Sequence, residues 1–160
     1  MRKDYISWHK YFMGVAKLSA LRSKDPNTQV GACIVNKDKR IVGIGYNGLP
    51  KGLVDSEFNW GNEGDFLNTK YPYVVHAEAN AILNSTEDLK GATIYVTLFP
   101  CNECTKLIIQ SGIQKIYYES DKYRDSNEFK ASITMLDKAN ITYEQIEVGK
   151  LIYEDFTEQI

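Results

Sequence analysis

The chain has almost nothing with which to cross-link itself. It contains three cysteines, Cys33, Cys101 and Cys104. Two of them form a C-x-x-C pair, which does not make a disulfide framework; free thiolates of this kind suit a reducing cytoplasm. Long apolar runs are missing too. None approaches the ~18–20 residues that span a bilayer. The N-terminus, Met1-Arg2-Lys3-Asp4-Tyr5, lacks the apolar core of a signal segment. Neither sign of charge dominates: 19 Lys and Arg face 21 Asp and Glu, leaving −2. That balance argues against a broad basic face for nucleic acid, while leaving room for a local cluster around one phosphate. There is no internal repeat and no low-complexity tract.

What is present fits one globular domain over 1–160. Hydrophobic residues make up 43% and charged residues 25%, enough to bury a core without a disulfide or a structural metal. Tyr5, Trp8, Phe12, Val15 and Ser19 recur at helical spacing and predict a helix over 4–21. Ser23 to Thr28 is turn-rich, with Asp25-Pro26-Asn27 as its breaker. Val30 to Val35 and Ile41 to Tyr46 are β-like runs joined by Asn36-Lys37-Asp38-Lys39, a hairpin signal. Gly48 to Tyr73 has little periodicity and is expected to be a functional loop or to hold a short helix. Beyond it the pattern alternates: helix over 77–84, strand over 93–97, helix over 101–111 stopped by Gly112, strand over 113–118, helix over 127–139, strand over 141–146. The segment 151–160 carries no clear signal. An opening hairpin followed by this alternation predicts an α/β fold, a mixed sheet with helices on both faces.

Two short motifs carry chemistry: His76-Ala77-Glu78 and Pro100-Cys101-Asn102-Glu103-Cys104. One imidazole and two thiolates can hold zinc, and both groups fall at predicted helix starts. Helix N-termini carry partial positive charge, which favours thiolates, the metal-binding form. Residues three apart share a helix face, so Cys101 and Cys104 can aim at one point. Three protein ligands leave a fourth tetrahedral position for water, whose pKa zinc lowers from ~16 towards ~7. Glu78, two residues from His76, is placed to move that water's protons. The set has the form H-x-E…P-C-x-x-C of zinc nucleobase deaminases. Two other readings stay open here. A C-x-x-C can be redox-active. A structural zinc would need a fourth ligand, for which His9, Cys33 or a carboxylate are the candidates.

Further stretches resemble the deoxycytidylate (dCMP) deaminases of the cytidine deaminase-like superfamily. They are Ser23-Lys24-Asp25-Pro26-Asn27-Thr28-Gln29-Val30-Gly31-Ala32, Gly43-Ile44-Gly45-Tyr46-Asn47-Gly48-Leu49-Pro50, Tyr71-Pro72-Tyr73-Val74-Val75-His76-Ala77-Glu78, Leu98-Phe99-Pro100-Cys101-Asn102-Glu103-Cys104 and Ser120-Asp121-Lys122-Tyr123. The resemblance implies a three-layer α/β/α fold and hydrolysis of dCMP to dUMP and ammonia. It also implies a homo-hexamer, activated by dCTP and inhibited by dTTP with Mg2+ assisting the triphosphate. By the same likeness His76, Cys101 and Cys104 bind zinc and Glu78 shuttles protons. Asn47 holds the sugar, and Ala77 contacts the base through its backbone. Arg22, Ser23, Lys24, Asn27 and Tyr123 are the candidates for the phosphate, since cations and hydroxyls near a turn suit a dianion; the plainer reading makes Arg22 and Lys24 solvated charges. His9 and Cys33 are the only spare His and Cys, so one zinc per chain is expected. In the long loop, Gly48, Lys51 and Trp60 are the candidate effector residues, with Asp55, Glu57, Glu63 and Asp65 near a magnesium; the plainer reading makes these solvated acids and Trp60 a packing residue. Competing functions are a superfamily deaminase acting on a tRNA adenosine, a free base or a riboflavin precursor, and a non-catalytic zinc-stabilised module.

Overall fold

The computed structural model describes residues 1–152; most of the unassigned terminal segment, 153–160, lies outside the described residues. In chain order the elements are α1 (Trp8–Ala20), β1 (Gly31–Val35), β2 (Ile41–Tyr46), α2 (Ala77–Leu83), β3 (Thr93–Leu98), α3 (Asn102–Gln110), β4 (Lys115–Ser120), α4 (Asn127–Lys138) and β5 (Thr142–Gln145). The five strands form one sheet in the order β2-β1-β3-β4-β5. The hairpin β1–β2 and the pair β1–β3 are antiparallel. The helix-linked pairs β3–β4 and β4–β5 are parallel, as crossover helices require. The sheet is therefore mixed, as expected.

Alternation along the central strands builds the layers. β1 is buried over its whole length, so each face of it needs a cover. Ala32 and Ile34 join Ile94, Val96 and Ile116 beneath α2, α3 and α4, against Ala81, Ile108 and Leu136. Cys33 and Val35 point the other way, joining Tyr95 and Tyr117 under Phe12, Met13 and Ala16 of α1. One helix on one face and three on the other make the three-layer α/β/α arrangement. No helix among the described residues is long and apolar enough to cross a membrane.

α1 starts later than the sequence spacing predicts. It begins at Trp8 because Ser7 caps it, the Ser7 Oγ accepting from the Lys10 N–H at 3.2 Å; a serine there satisfies an N–H that the helix cannot. Of the residues at helical spacing, Tyr5 and Trp8 are exposed, and the buried face is Phe12, Met13, Ala16 and Ala20. The buried face carries Ala16 and Ala20 because the helix backbone presses on β1. A Cβ on Gly31 would fall 1.8 Å from the Ala16 carbonyl oxygen. Alanines fit that gap and large aromatics do not. β4 also starts later than expected: residues 113–114 lead into the strand, whose pairing with β3 begins at Lys115.

β2 meets α2 in the same intimate way. A Cβ on Gly45 would lie 2.3 Å from the Ala77 oxygen and 2.4 Å from the Ala81 nitrogen. The Asn80 and Asn84 side-chain amides donate to the Tyr46 and Ile44 carbonyls, at 2.8 and 3.1 Å. Bare backbone on the strand thus lets the helix, with Ala77 and Glu78 on its first turn, sit directly on the sheet. Gly45→Ala is expected to destabilise the protein by about 1–3 kcal/mol, the usual cost of overpacking, measured by urea denaturation.

The long loop after β2 is held by short-range bonds around two single-turn 3-10 segments, Asp55–Glu57 and Phe66–Asn68. The Trp60 indole N–H donates to the Asp55 carbonyl at 3.1 Å, and the Lys70 N–H donates to Gly61 at 3.0 Å.

Candidate active site at two facing helix starts

His76 is the N-cap of α2 and Cys101 the N-cap of α3, and neither side chain caps its helix. Capping positions favour Ser, Thr, Asp and Asn, so a histidine and a cysteine there leave their side chains free for another partner. Each loop is anchored. Gly48 and Val75 exchange backbone hydrogen bonds of 3.1 and 2.9 Å, which ties the residue before His76 to the end of β2. The buried Ser132 hydroxyl donates to the Pro100 carbonyl at 3.0 Å and holds the residue before Cys101.

The two starts bring their ligands together. The Cys101 and Cys104 sulfurs each lie 3.4 Å from the His76 Nδ1. All three donor atoms lie within 4.8 Å of one another. Ligands at tetrahedral angles, with Zn–S of about 2.3 Å and Zn–N of about 2.0–2.1 Å, sit roughly 3.5 Å apart. The nitrogen and two sulfurs therefore fit Zn2+ in spacing and in softness. Among the described residues no fourth His, Cys, Asp or Glu joins the group. The two spare candidates are engaged on the α1 face of the sheet. His9 Nδ1 pairs with the Tyr95 hydroxyl at 3.0 Å, and Cys33 is buried beside Tyr95. A closed four-ligand structural site built on either is thereby removed.

His76, Cys101 and Cys104 share protons among themselves. Cys101 is pulled down to about 4, first by the hydrogen bond it accepts from the Cys104 thiol and further by His76, against burial. Cys104 is pushed well up by donating that bond and by burial. His76 is raised to about 9, chiefly by its bond to Cys101; burial and the Lys70 charge oppose this. Metal binding displaces such protons, since ligands bind deprotonated. Glu78, only 4% exposed, has its carboxyl raised by burial, with His76 opposing.

These residues line a cavity of about 370 Å³, within the usual range of about 300–1,000 Å³ for small-molecule sites. His76, Ala77, Glu78 and Cys101 share it with three more of the sequence candidates, Asn27, Asn47 and Tyr123. Arg22 and Lys24 do not line it. They line a second cavity of about 180 Å³ with Gly48, Lys51, Trp60 and Asp55, so the phosphate cluster drawn from sequence is divided. The reason is local: Lys24 pairs with Asp55 of the long loop. Ser23 lines neither cavity, and its hydroxyl accepts from the Asp25 N–H at 3.3 Å. Asn47 lines both cavities. Glu57, Glu63 and Asp65 are exposed, and the loop acids form no metal-sized cluster among the described residues.

Sequence reasoning missed Asp25 and Lys70. They form an ion pair at 2.5 Å, 3% and 9% exposed, in the cavity wall. In the sequence Asp25 is a turn residue within the Ser23 to Ala32 stretch with no site role of its own, and Lys70 sits in a stretch without periodicity. A lysine buried by a partner forty-five residues away gives no local signal.

Comparison with known proteins agrees with this geometry. Residues 6–120 match the family described as the cytidine and deoxycytidylate deaminase zinc-binding region. Deoxycytidylate deaminase from Homo sapiens is 56% identical over 144 residues, covering 89% of this chain and 81% of its own. A probable deoxycytidylate deaminase from Drosophila melanogaster is 53% identical, covering 97% and 80%. The dCMP deaminase of cyanophage S-TIM5, solved in complex with dCMP and dUMP, superimposes with a TM-score of 0.67 at 28% identity, over 86% of this chain and 95% of its own. Fold, ligand set and likeness together assign this chain to the zinc-dependent cytidine and deoxycytidylate deaminase family, among the deoxycytidylate deaminases.

Proposed function

We propose that this chain hydrolyses dCMP to dUMP and ammonia as one deaminase domain over 1–160. The observation that carries this reading is the convergence of His76, Cys101 and Cys104 on one point beside a buried Glu78, inside a nucleotide-sized cavity. His76, Cys101 and Cys104 hold one zinc. When bound, zinc supplies the Lewis acidity that makes water a nucleophile near neutral pH. Glu78 takes the proton from the attacking water and delivers it to the ring nitrogen. It then takes the remaining proton of the added hydroxyl and passes it to the departing amine, so a single carboxylate acts twice as base and then as acid. The Ala77 backbone contacts the base. Asn47 sits beside the sugar, its amide orientation held by the Val30 N–H, Asp25 and the Thr28 carbonyl. Asn27 and Tyr123 edge the far end of the substrate.

The second cavity is the proposed effector site. Arg22, Lys24 and Lys51 bring three cations together beside Gly48 and Trp60, a setting suited to a triphosphate. In this reading dCTP activates and dTTP inhibits there, with Mg2+, in a cytoplasmic homo-hexamer that engages neither nucleic acid nor membrane. The test is turnover of dCMP, deoxycytidine and CMP under one condition, with and without dCTP. Clear preference for dCMP is expected, with sigmoidal kinetics made hyperbolic by dCTP. Equal turnover of deoxycytidine would overturn the nucleotide assignment. Indifference to millimolar dCTP and dTTP with Mg2+ would overturn the effector site.

A further inference from the structure

Asp25, Asn47 and Lys70 form one hydrogen-bonded group in the polar wall of the active cavity. Asp25 Oδ1 accepts from the N–H groups of Asn27 and Thr28, at 2.8 and 3.2 Å. Its Oδ2 accepts from Lys70 Nζ at 2.5 Å and from Asn47 Nδ2 at 3.3 Å. Asn47 gives its other amide proton to the Thr28 carbonyl at 2.9 Å, and its Oδ1 accepts from the Val30 N–H at 2.8 Å. A carboxylate has about four acceptor positions and an amide two donors, so Asp25 has nothing left and Asn47 retains one lone pair. Lys70 differs. An ammonium has three donors, and among the described residues Asp25 is its one hydrogen-bond acceptor. Buried donors without acceptors are costly. An anionic oxygen in the cavity would complete this one with charge-assisted bonds.

Lys70 is also the only Lys or Arg lining this cavity among the described residues; Arg22, Lys24 and Lys51 line the other. Asn27 and Tyr123 offer neutral groups alone. We infer that Lys70 is the residue that selects a nucleotide over a nucleoside, its ammonium binding the substrate's 5′-phosphate while Asp25 holds it against the cavity wall. The inference rests on the dCMP reading above. Asp25 is the positioning residue: it binds the lysine through one oxygen and Asn47 through the same one. Sugar and phosphate recognition are thereby referred to a single buried carboxylate.

The experiment compares zinc-loaded full-length protein and its variants on dCMP and deoxycytidine at one ionic strength. Lys70→Gln is expected to raise KM for dCMP by about 30- to 100-fold, the value of a hydrogen bond to a charged group. The change falls on KM rather than kcat, and the loss on deoxycytidine is smaller by at least about tenfold. Lys70→Arg retains most of the preference. Because Lys70→Gln leaves Asp25 buried without its counter-charge, the double variant Asp25→Asn/Lys70→Met removes both charges; its dCMP-over-deoxycytidine preference is expected to collapse equally. Equal losses on both substrates, or an unchanged preference in a variant that melts like the parent, would make the pair purely structural and overturn the inference alone. A parent enzyme that turns over deoxycytidine as well as dCMP overturns the nucleotide reading and this inference with it.

Discussion

Glu78→Gln is expected to keep stoichiometric zinc and to lose roughly 10⁴-fold or more in kcat. A positioned acid or base contributes about 10²–10⁴-fold, and Glu78 is assigned to proton transfers on both sides of the reaction. Glutamine preserves the volume of a side chain that is 4% exposed, so packing and the first turn of α2 persist. It leaves His76, Cys101 and Cys104 untouched. Burial already raises the Glu78 carboxyl, which suits a group that must take up a proton and release it in one turnover. Metal analysis and a dCMP assay on the same preparation make the check. A Glu78→Gln enzyme with more than about a hundredth of parent turnover would remove Glu78 from the proton-transfer role.

Cys101→Ser should lose zinc and activity together. Cys101 is the thiolate of the set, held down to about 4 by Cys104 and His76. A serine hydroxyl is a far weaker acid and a harder donor, poorly matched to zinc among thiolate and imidazole ligands. Two ligands would remain, Cys104 and His76, and Cys104 would lose the partner that now takes its hydrogen bond. After dialysis against a mild chelator, zinc is expected below about a tenth of the parent content, with turnover falling in proportion. Full zinc with full activity in this variant would sink the ligand assignment. Melting separates metal loss from misfolding, because the core clusters of the sheet do not include Cys101.

Much of this protein is legible in its sequence. Every strand and helix was expected within a few residues, because the hairpin runs, the alternation from residue 77 onward and Gly112, which sits at a positive φ of 83°, are local signals. The inner face of α1 was not. Tyr5, Trp8 and Phe12 have helical spacing, but so does the stripe of Phe12, Met13, Ala16 and Ala20 that is buried; the close approach at Gly31 chose between them. The same contrast holds at the site. The spacing of His76, Glu78, Cys101 and Cys104 carries its chemistry on the sequence alone, because Cys101 and Cys104 fall within one helical turn and the third ligand, His76, lies two residues from Glu78. The cations do not behave that way. Arg22 and Lys24 adjoin Asp25 in sequence but line a different cavity, while Lys70, forty-five residues from Asp25, is brought against it.

The amino-acid sequence by itself thus determined the elements, the candidate metal-ligand set and the carboxylate proposed for proton transfer, all of which depend on periodicity or short spacing. Only the tertiary structure decided how the charged groups divide between two cavities and which lysine is buried in the active one. A buried charge survives where a distant partner offsets its desolvation, and that partner is supplied by the folding of the long loop back onto the turn after α1.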